Sequence, residues 1–443
     1  MSNHLSGRRR WTIAVLTAGA LALTGCSAGS IRGGGDEGGD DTLTWLIDNG
    51  AGTLATAEGL ADGFEASHEG VTVKIETRPG GTEGDNVVKT RLSTGDMPDV
   101  FIYNTGSLLQ AIDPAKNLVP LDDSVDTATL EDSFLTTVKS GDDYYGTPFG
   151  TALAGGVLYN RKVYDKLGLK VPTTWDEFMA NNAKIKAAGI APVIQTYQTD
   201  TWTSQLFVLG DYHNVESAEP GWADKYTKNE VTYSQEPAVE GFKHLQEVHD
   251  AGFMNKDFGS AKLSDGIDML AAGKGAQYPI LTTVLVDLTQ AHPDQVKDIG
   301  FFALPGDDAA SNGMTVWPGL AAVYIPKSTE GAKLELAKEF QAYVATKEAC
   351  EAQTKGQAPS GPYLVKGCTL PTDVPPAVKD LQRYFEEDKA TPALEFLSPV
   401  KGPALEQICV EVGSGIKSAE EAAALYDEDV KKQAQQLNLP GWS

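Results

Sequence analysis

The sequence predicts an α/β fold in which open, largely parallel sheets carry helices on both faces, arranged as two bodies. Three observations predict it. The alternating, β-rich run "TLTWLID" is followed by a helical pattern around Leu54 to Ala66, a second strand "VTVKIET", and, after the turn-forming "STGDMP", a third strand "DVFIY". Strands that alternate with helices imply a sheet covered on both sides. With 443 residues, the chain exceeds what one hydrophobic core usually serves, which makes two bodies the expectation. Hydrophobic residues at 41% and charged residues at 22% are the composition of an ordinary globular protein with a sizeable core.

Ahead of the folded part, Arg8 to Arg10 precede an apolar run from Trp11 to Leu23. Its roughly 13 residues fall short of the ~20 that span a bilayer as a helix, so residues 1–25 read as a secretion signal. The exit "LTGC" resembles the lipobox of bacterial lipoproteins, which implies acylation of Cys26 and anchoring at the outer face of the cell membrane. Loss of the three arginines then takes the formal charge from -25 to -28. Residues 26–41, rich in Gly, Ser and Asp, are a flexible tether. Within and beside them, Gly25 to Gly29 matches the nucleophile-elbow pattern and Gly33 to Gly38 matches G-x-G-x-x-G, but neither lies between a strand and a helix. Both are accidents of composition. The strong negative charge argues against a nucleic-acid partner.

In open α/β sheets, ligands bind beyond the carboxyl ends of the strands. Those ends are Asp48-Asn49 after the first strand and Asn104-Thr105 after the third, so Asp48, Asn49 and Asn104 are candidate ligand contacts. The two asparagines could equally cap the helices that follow.

Farther along, Tyr145 to Pro148, "GVLYN" at Gly156 to Asn160 and "PTTWDEF" at Pro172 to Phe178 resemble the extracellular solute-binding proteins of sugar-type ABC importers, the maltose-binding-protein-like family. "GDMPDVF" at Gly95 to Phe101 and the strand-plus-helix run Gly319 to Val344 extend the resemblance over most of the chain from about residue 42. The sequence departs from the family's pattern at Gly150, at Tyr164, and in Gly273 to Asp287, which lacks a frequent Trp. Read without the family, Thr174 to Glu177 is a capping box that starts a helix, with Trp175 packed at its entrance, and Asn160 caps the next helix.

The resemblance implies a bilobed periplasmic-binding-protein fold of type II, two doubly wound lobes joined by hinge strands. Lobe one would take residues 42–148 and 313–352, and lobe two residues 149–312 and 353–443. It further implies a monomeric receptor, without cofactor or catalysis, that closes on a sugar or oligosaccharide and presents it to permease subunits in the membrane. A secreted carbohydrate-active hydrolase, or a ligand-sensing receptor on the same scaffold, is the alternative.

A sugar site needs Asp, Asn and Glu beside flat aromatics. "VIQTYQTDTWTSQLF" supplies Gln195, Asp200 and Trp202, and "SNGMTVWPGLA" supplies Trp317 at an expected crossing between lobes. Trp317 and Trp202 are the expected stacking platforms, with Tyr278 and Tyr145 as further aromatics, and Thr151 is placed just past a crossing strand. Glu83 and Asp85 lie in the acidic loop "RPGGTEGDN", either reaching sugar hydroxyls or forming a solvated turn. No metal site is expected: His244 and His249 are five apart, on different faces of a helix and expected in solvent, and Asp307-Asp308 lacks the pattern of a calcium loop. Three cysteines follow Cys26. Cys350 at a helix end and Cys368 in a nearby Pro/Gly-rich loop are expected to pair, leaving Cys409 buried.

Overall fold

The strand that opens the folded part shows how the sequence builds its layers. Leu43, Trp45 and Ile47 of β1 (Thr42–Asp48) alternate onto one face, where helices Ala51–Ser67 and Gly331–Val344 cover them. Trp45 meets Phe340 and Phe149 edge-on, with ring centroids 5.0 and 5.9 Å apart. Leu46 points to the other face and joins a second core with Phe101, Tyr103 and Tyr324. Apolar side chains on both faces bury β1 inside a three-layer unit. The computed structural model describes residues 39–198 and 201–442, so Cys26 and Asp200 lie outside the described residues.

In chain order the other strands are β2 (Thr72–Arg78), β3 (Val100–Asn104), the short pair β4 (Lys139–Ser140) and β5 (Asp143–Tyr144), β6 (Thr147–Phe149), β7 (Leu153–Asn160) and β8 (Ala191–Val193). There follow β9 (Gly275–Leu281), β10 (Ile299–Ala303), β11 (Met314–Trp317), β12 (Ala321–Tyr324) and β13 (Ala390–Pro392). One sheet has the order β2-β1-β3-β12-β6, and a second has β13-β11-β7-β9-β8 with β10 also on β7.

Both sheets are mixed rather than largely parallel. The pairs β1–β2, β1–β3, β8–β9 and β11–β13 are parallel, while β12 runs antiparallel to β3 and β6, and β7 runs antiparallel to β9, β10 and β11. The cause is connectivity. The chain leaves the first sheet at Phe149, enters the second at Leu153, returns from Trp317 and re-enters at Ala321, so the outgoing and returning strands pair in opposite directions. Sheet membership therefore puts the return crossing after Trp317 rather than before residue 313, since Met314–Trp317 belongs to the second sheet. Helix Lys347–Gly356, which packs on helix Ala51–Ser67, likewise runs past residue 352.

Local signals read from the sequence place several residues. Thr174 Oγ1 accepts the N–H of Glu177 at 3.3 Å, but the Glu177 carboxylate reaches back to the N–H and hydroxyl of Thr173, one residue before the cap. Those bonds hold the Glu177 carboxyl below its ordinary pKa. Asn160 accepts the N–H of Val163 at 3.1 Å. His244, expected in solvent, is instead buried and stacked on Trp175 with centroids 3.7 Å apart. Helix Glu240–Asp250 turns that residue inward, beside Leu245 and Val248, and burial drives its pKa down to about 3. Cys350 and Cys368 form a disulfide, and Cys409 is a buried free thiol. No helix among the described residues is long and apolar enough to cross a membrane.

Candidate functional site

Both crossings open onto one cavity of about 320 Å³. Asp48 at the end of β1, the following Gly50, Gly52, Thr53 and Thr56, and Ile102 of β3 line it from the first sheet. Leu153, Thr283, Val286 and Asp287 line it from the second. Phe149, Gly150, Thr151, Leu320 and Ala321 are the crossings themselves, and Gln353, Gln357, Ser360 and Tyr363 close the remaining side. The two walls come close together, since a Cβ on Gly52 would lie 3.2 Å from Val286 and 2.9 Å from the Gln357 amide oxygen.

The polar groups are fixed by the fold. The Asp48 carboxylate accepts the N–H of Gly50 at 3.0 Å, which shapes the turn into helix Ala51–Ser67, whose first turn brings Gly52 and Thr53 to the lining. Gln353 Oε1 accepts the N–H of Gly150 at 2.9 Å, and the Thr151 and Ser360 hydroxyls stand 3.4 Å apart. Gln357 Oε1 is buried with no hydrogen-bond partner among the described residues, an acceptor awaiting a donor. Tyr363 bonds through its hydroxyl to Thr354, and burial raises its pKa, so it remains a neutral phenol. Among the described residues the lining holds two carboxylates, Asp48 and Asp287, and no Lys, Arg or His. Buried Arg78 directs its guanidinium to the carbonyls of Pro79 and Ile102.

Of the residues expected at a ligand site, Asp48 and Thr151 line this cavity and the others do not. Trp317, expected as a stacking platform, is 2% exposed. Its ring lies against Gly155, its N–H bonds to the Glu395 carboxylate, and it packs with Leu153 and Ala393, because β11 inserts beside β7 instead of ending in an open loop. Trp202 is half-buried in the short helix Thr201–Gln205, against the core around Ile267 and Val284. Tyr278 is wholly buried in β9, its hydroxyl 2.6 Å from Thr196 Oγ1, and Tyr145 is buried in the core that holds Phe101 and Tyr324.

Glu83 is exposed in the first turn of helix Gly81–Thr94, which begins where a loop was expected. Asn49 is exposed between two lining residues. Neither asparagine caps a helix: Gly50 and Thr105 occupy the cap positions, and Asn104 turns its carbonyl to the Tyr324 hydroxyl. Gln195 is buried, with both side-chain amide atoms unpartnered among the described residues.

Sequence reasoning missed Gln353, Gln357, Ser360, Tyr363 and Asp287. The first four sit in "CEAQTKGQAPSGPYL", between the two cysteines, where no local motif sets them apart.

A second interlobe contact lies elsewhere. Helix Leu394–Leu397, following β13, sets Phe396 over Gly106, where a Cβ would fall 2.7 Å from the ring. Gly106 has φ 63°, a left-handed conformation suited to glycine.

Comparison with known proteins agrees with this architecture. Residues 47–350 match the family of bacterial extracellular solute-binding proteins. The multiple sugar-binding protein of Streptococcus mutans is 29% identical over 322 residues, 71% of this chain and 73% of that one. The melibiose/raffinose/stachyose-binding protein of Bacillus subtilis is 24% identical over 299 residues, 65% and 66% of the respective chains. Among solved structures, a chitin oligosaccharide binding protein superposes with a TM-score of 0.75 at 22% identity, covering 89% of this chain and 99% of the other. With its two mixed sheets, its paired crossings and the cavity between them, the chain has the bilobed type II fold and belongs to the bacterial extracellular solute-binding proteins.

Proposed function

We propose that the chain is the receptor of an ABC importer and captures an uncharged sugar or oligosaccharide end in the cavity at the crossings. The cavity's lining carries the reading: hydroxyls of Thr53, Thr56, Thr151, Thr283 and Ser360, amides of Gln353 and Gln357 and two carboxylates stand beside Phe149 and Tyr363, with no cationic side chain among the described residues. Polyols donate and accept at once, so acceptors such as Asp48 and Gln357 Oε1 suit their hydroxyls, while the aromatic surfaces suit the C–H faces. A carboxylate-bearing sugar would meet the like charge of Asp48 at the end of β1, and is disfavoured.

The sugar-binding relatives support this class of solute, as does a solved solute-binding protein in complex with raffinose, which superposes with a TM-score of 0.71 at 21% identity over 88% of this chain and 99% of its own. At ~30 Å³ per water molecule the cavity exchanges about ten waters, room for one or two sugar rings, so a longer saccharide enters by one end. The receptor works as a monomer, tethered through acylated Cys26 in "LTGC" to the outer membrane face and delivering its load intact to the permease subunits.

A thermal-shift screen of mono- and oligosaccharides, with their uronic-acid counterparts as controls, tests the reading, because a solute that binds only the native state raises the melting temperature. Neutral sugars are expected to raise it and acidic ones not. No shift with any saccharide, or chromatography showing the sugar cut, would overturn the proposal. Cys26→Ala is expected to release the protein from membranes, whereas continued membrane association would refute the anchor.

A further inference from the structure

The disulfide encloses a segment that does two things at once. Between Cys350 and Cys368 lie Gln353, Gln357, Ala358, Pro359, Ser360 and Tyr363, which form one wall of the cavity. The same segment grips the outgoing crossing. Gln353 holds the N–H of Gly150 at 2.9 Å, the carbonyl of Pro362 accepts the N–H of Ala152 at 2.8 Å, and the Ser360 hydroxyl stands 3.4 Å from that of Thr151. Contact is backbone to backbone: a Cβ on Gly361 would fall 1.9 Å from the Ala152 carbonyl oxygen. The crossing has little else to fix it, for Gly150 has φ 83° and open space where a side chain would be.

We propose that Cys350 and Cys368 are a positioning pair for the solute cavity. Their bond presses the enclosed strap onto Gly150–Ala152 and so sets both the cavity wall and the geometry of the hinge. The ends of the strap are anchored differently. Cys350 is buried on a helix seated against helix Ala51–Ser67, where a Cβ on Gly59 would lie 2.5 Å from the Ala352 carbonyl oxygen. Near Cys368, Lys366 N–H donates to Thr129 at 2.7 Å and Glu131 N–H donates to Leu364 at 3.0 Å. Those bonds hold residues 364–366 whether or not the disulfide is present. The helix seats Gln353 as far as Gly356, so the part left to the bridge is residues 357–363, which carries Gln357, Ala358, Pro359, Ser360 and Tyr363 of this wall. The inference rests on contacts within the chain and does not depend on which solute binds.

Reduction of the full chain by a water-soluble phosphine supplies the test. The S–S bond breaks, phosphorus takes the oxygen of one water to become a phosphine oxide, and that water's two protons leave with the sulfurs as two thiols. Residue-resolved hydrogen exchange is then read at Gly150, Ala152 and Val157, the last lying within buried β7. Exchange at Gly150 and Ala152 is expected to rise at least tenfold, with Val157 unchanged within twofold. Unchanged exchange at Ala152, once titration has counted two additional thiols, would overturn the proposal. An equal rise at Val157 would also overturn it, since the bridge would then act on the chain as a whole. A second arm leaves the bridge intact: Gln353→Ala removes the acceptor for Gly150 and is expected to raise exchange there in the oxidised protein but to add nothing after reduction. Additive effects would mean that the bridge and Gln353 act separately, and would also overturn the inference.

Discussion

Trp317→Ala separates two roles for this residue, a surface that stacks on the solute and a wedge that joins β11 to β7. The structure favours the wedge: the indole is 2% exposed, packs on Gly155 and bonds to Glu395, which also pairs with Lys401 at 2.8 Å. Truncating a buried Trp to Ala costs about 4 kcal/mol. Unfolding entropy of about 2.1 cal/mol/K per residue, over roughly 400 folded residues, gives roughly 0.85 kcal/mol/K, so the melting temperature should fall by about 5 °C. Trp317→Phe keeps an aromatic body but leaves Glu395 without its indole donor, and should lower it by a smaller amount, about 2 °C for ~1.5 kcal/mol. Differential scanning calorimetry of both variants measures the shifts. If Trp317→Ala melts like the parent protein yet loses a saccharide that the parent binds, the indole faces the solute and the packing argument is wrong.

Other consequences are open to measurement. Asp48→Asn and Asp287→Asn should each weaken binding of a neutral saccharide about tenfold by calorimetric titration, the loss expected for a hydrogen bond to a charged acceptor of ~1.5 kcal/mol; unchanged affinity in both would move the site elsewhere. His244 titrates near 3 when folded, because burial, with a smaller contribution from Lys243, disfavours its charged form, and near 6.5 when unfolded. Its contribution is therefore present above pH 6.5 and lost as the pH falls from there toward 3, and His244→Gln should flatten the acid side of a melting-temperature profile. Asp211 is the opposite case. Burial raises its carboxyl to about 8 despite the Asn214 amide at 2.8 Å, so stability is lost as pH rises from about 4 to 8, and Asp211→Asn should melt above the parent at pH 8 but not at pH 4. Thr174→Ala removes the cap on helix Trp175–Ala187 and should cost about 1 kcal/mol in denaturant titrations.

What could be read from the sequence followed the range of the interactions involved. β1 and the caps at Thr174 and Asn160 depend on neighbours within four residues or on a period of two, and both signals are printed in the chain itself. Asp48 and Thr151 were expected from the rule that such sheets bind ligands at strand ends and crossings, and both line the cavity. Trp317 misled for a definite reason: Pro318-Gly319 beside it suggested an open loop, whereas the buried partners that claim it, Leu153 and Ala393, are distant in sequence. Tyr278 and Tyr145 were drawn into cores by similarly remote residues. Gln353 and Gln357 carried no local mark, because what turns them toward the cavity is the seating of their segment on helix Ala51–Ser67 and on the crossing. Periodicity does not report contacts between segments some two hundred residues apart.

Phe396 resting on Gly106 has a bearing on how the protein waits when empty. Any parting of the two halves on that side must peel a half-buried phenyl ring from the backbone, at roughly 1 kcal/mol, about a fivefold bias toward the shut arrangement before any cargo arrives. Part of the grip is thus built into the apoprotein, and Gly106→Ala, by wedging the ring away, would yield a receptor that gapes more often and asks more of its cargo to shut it.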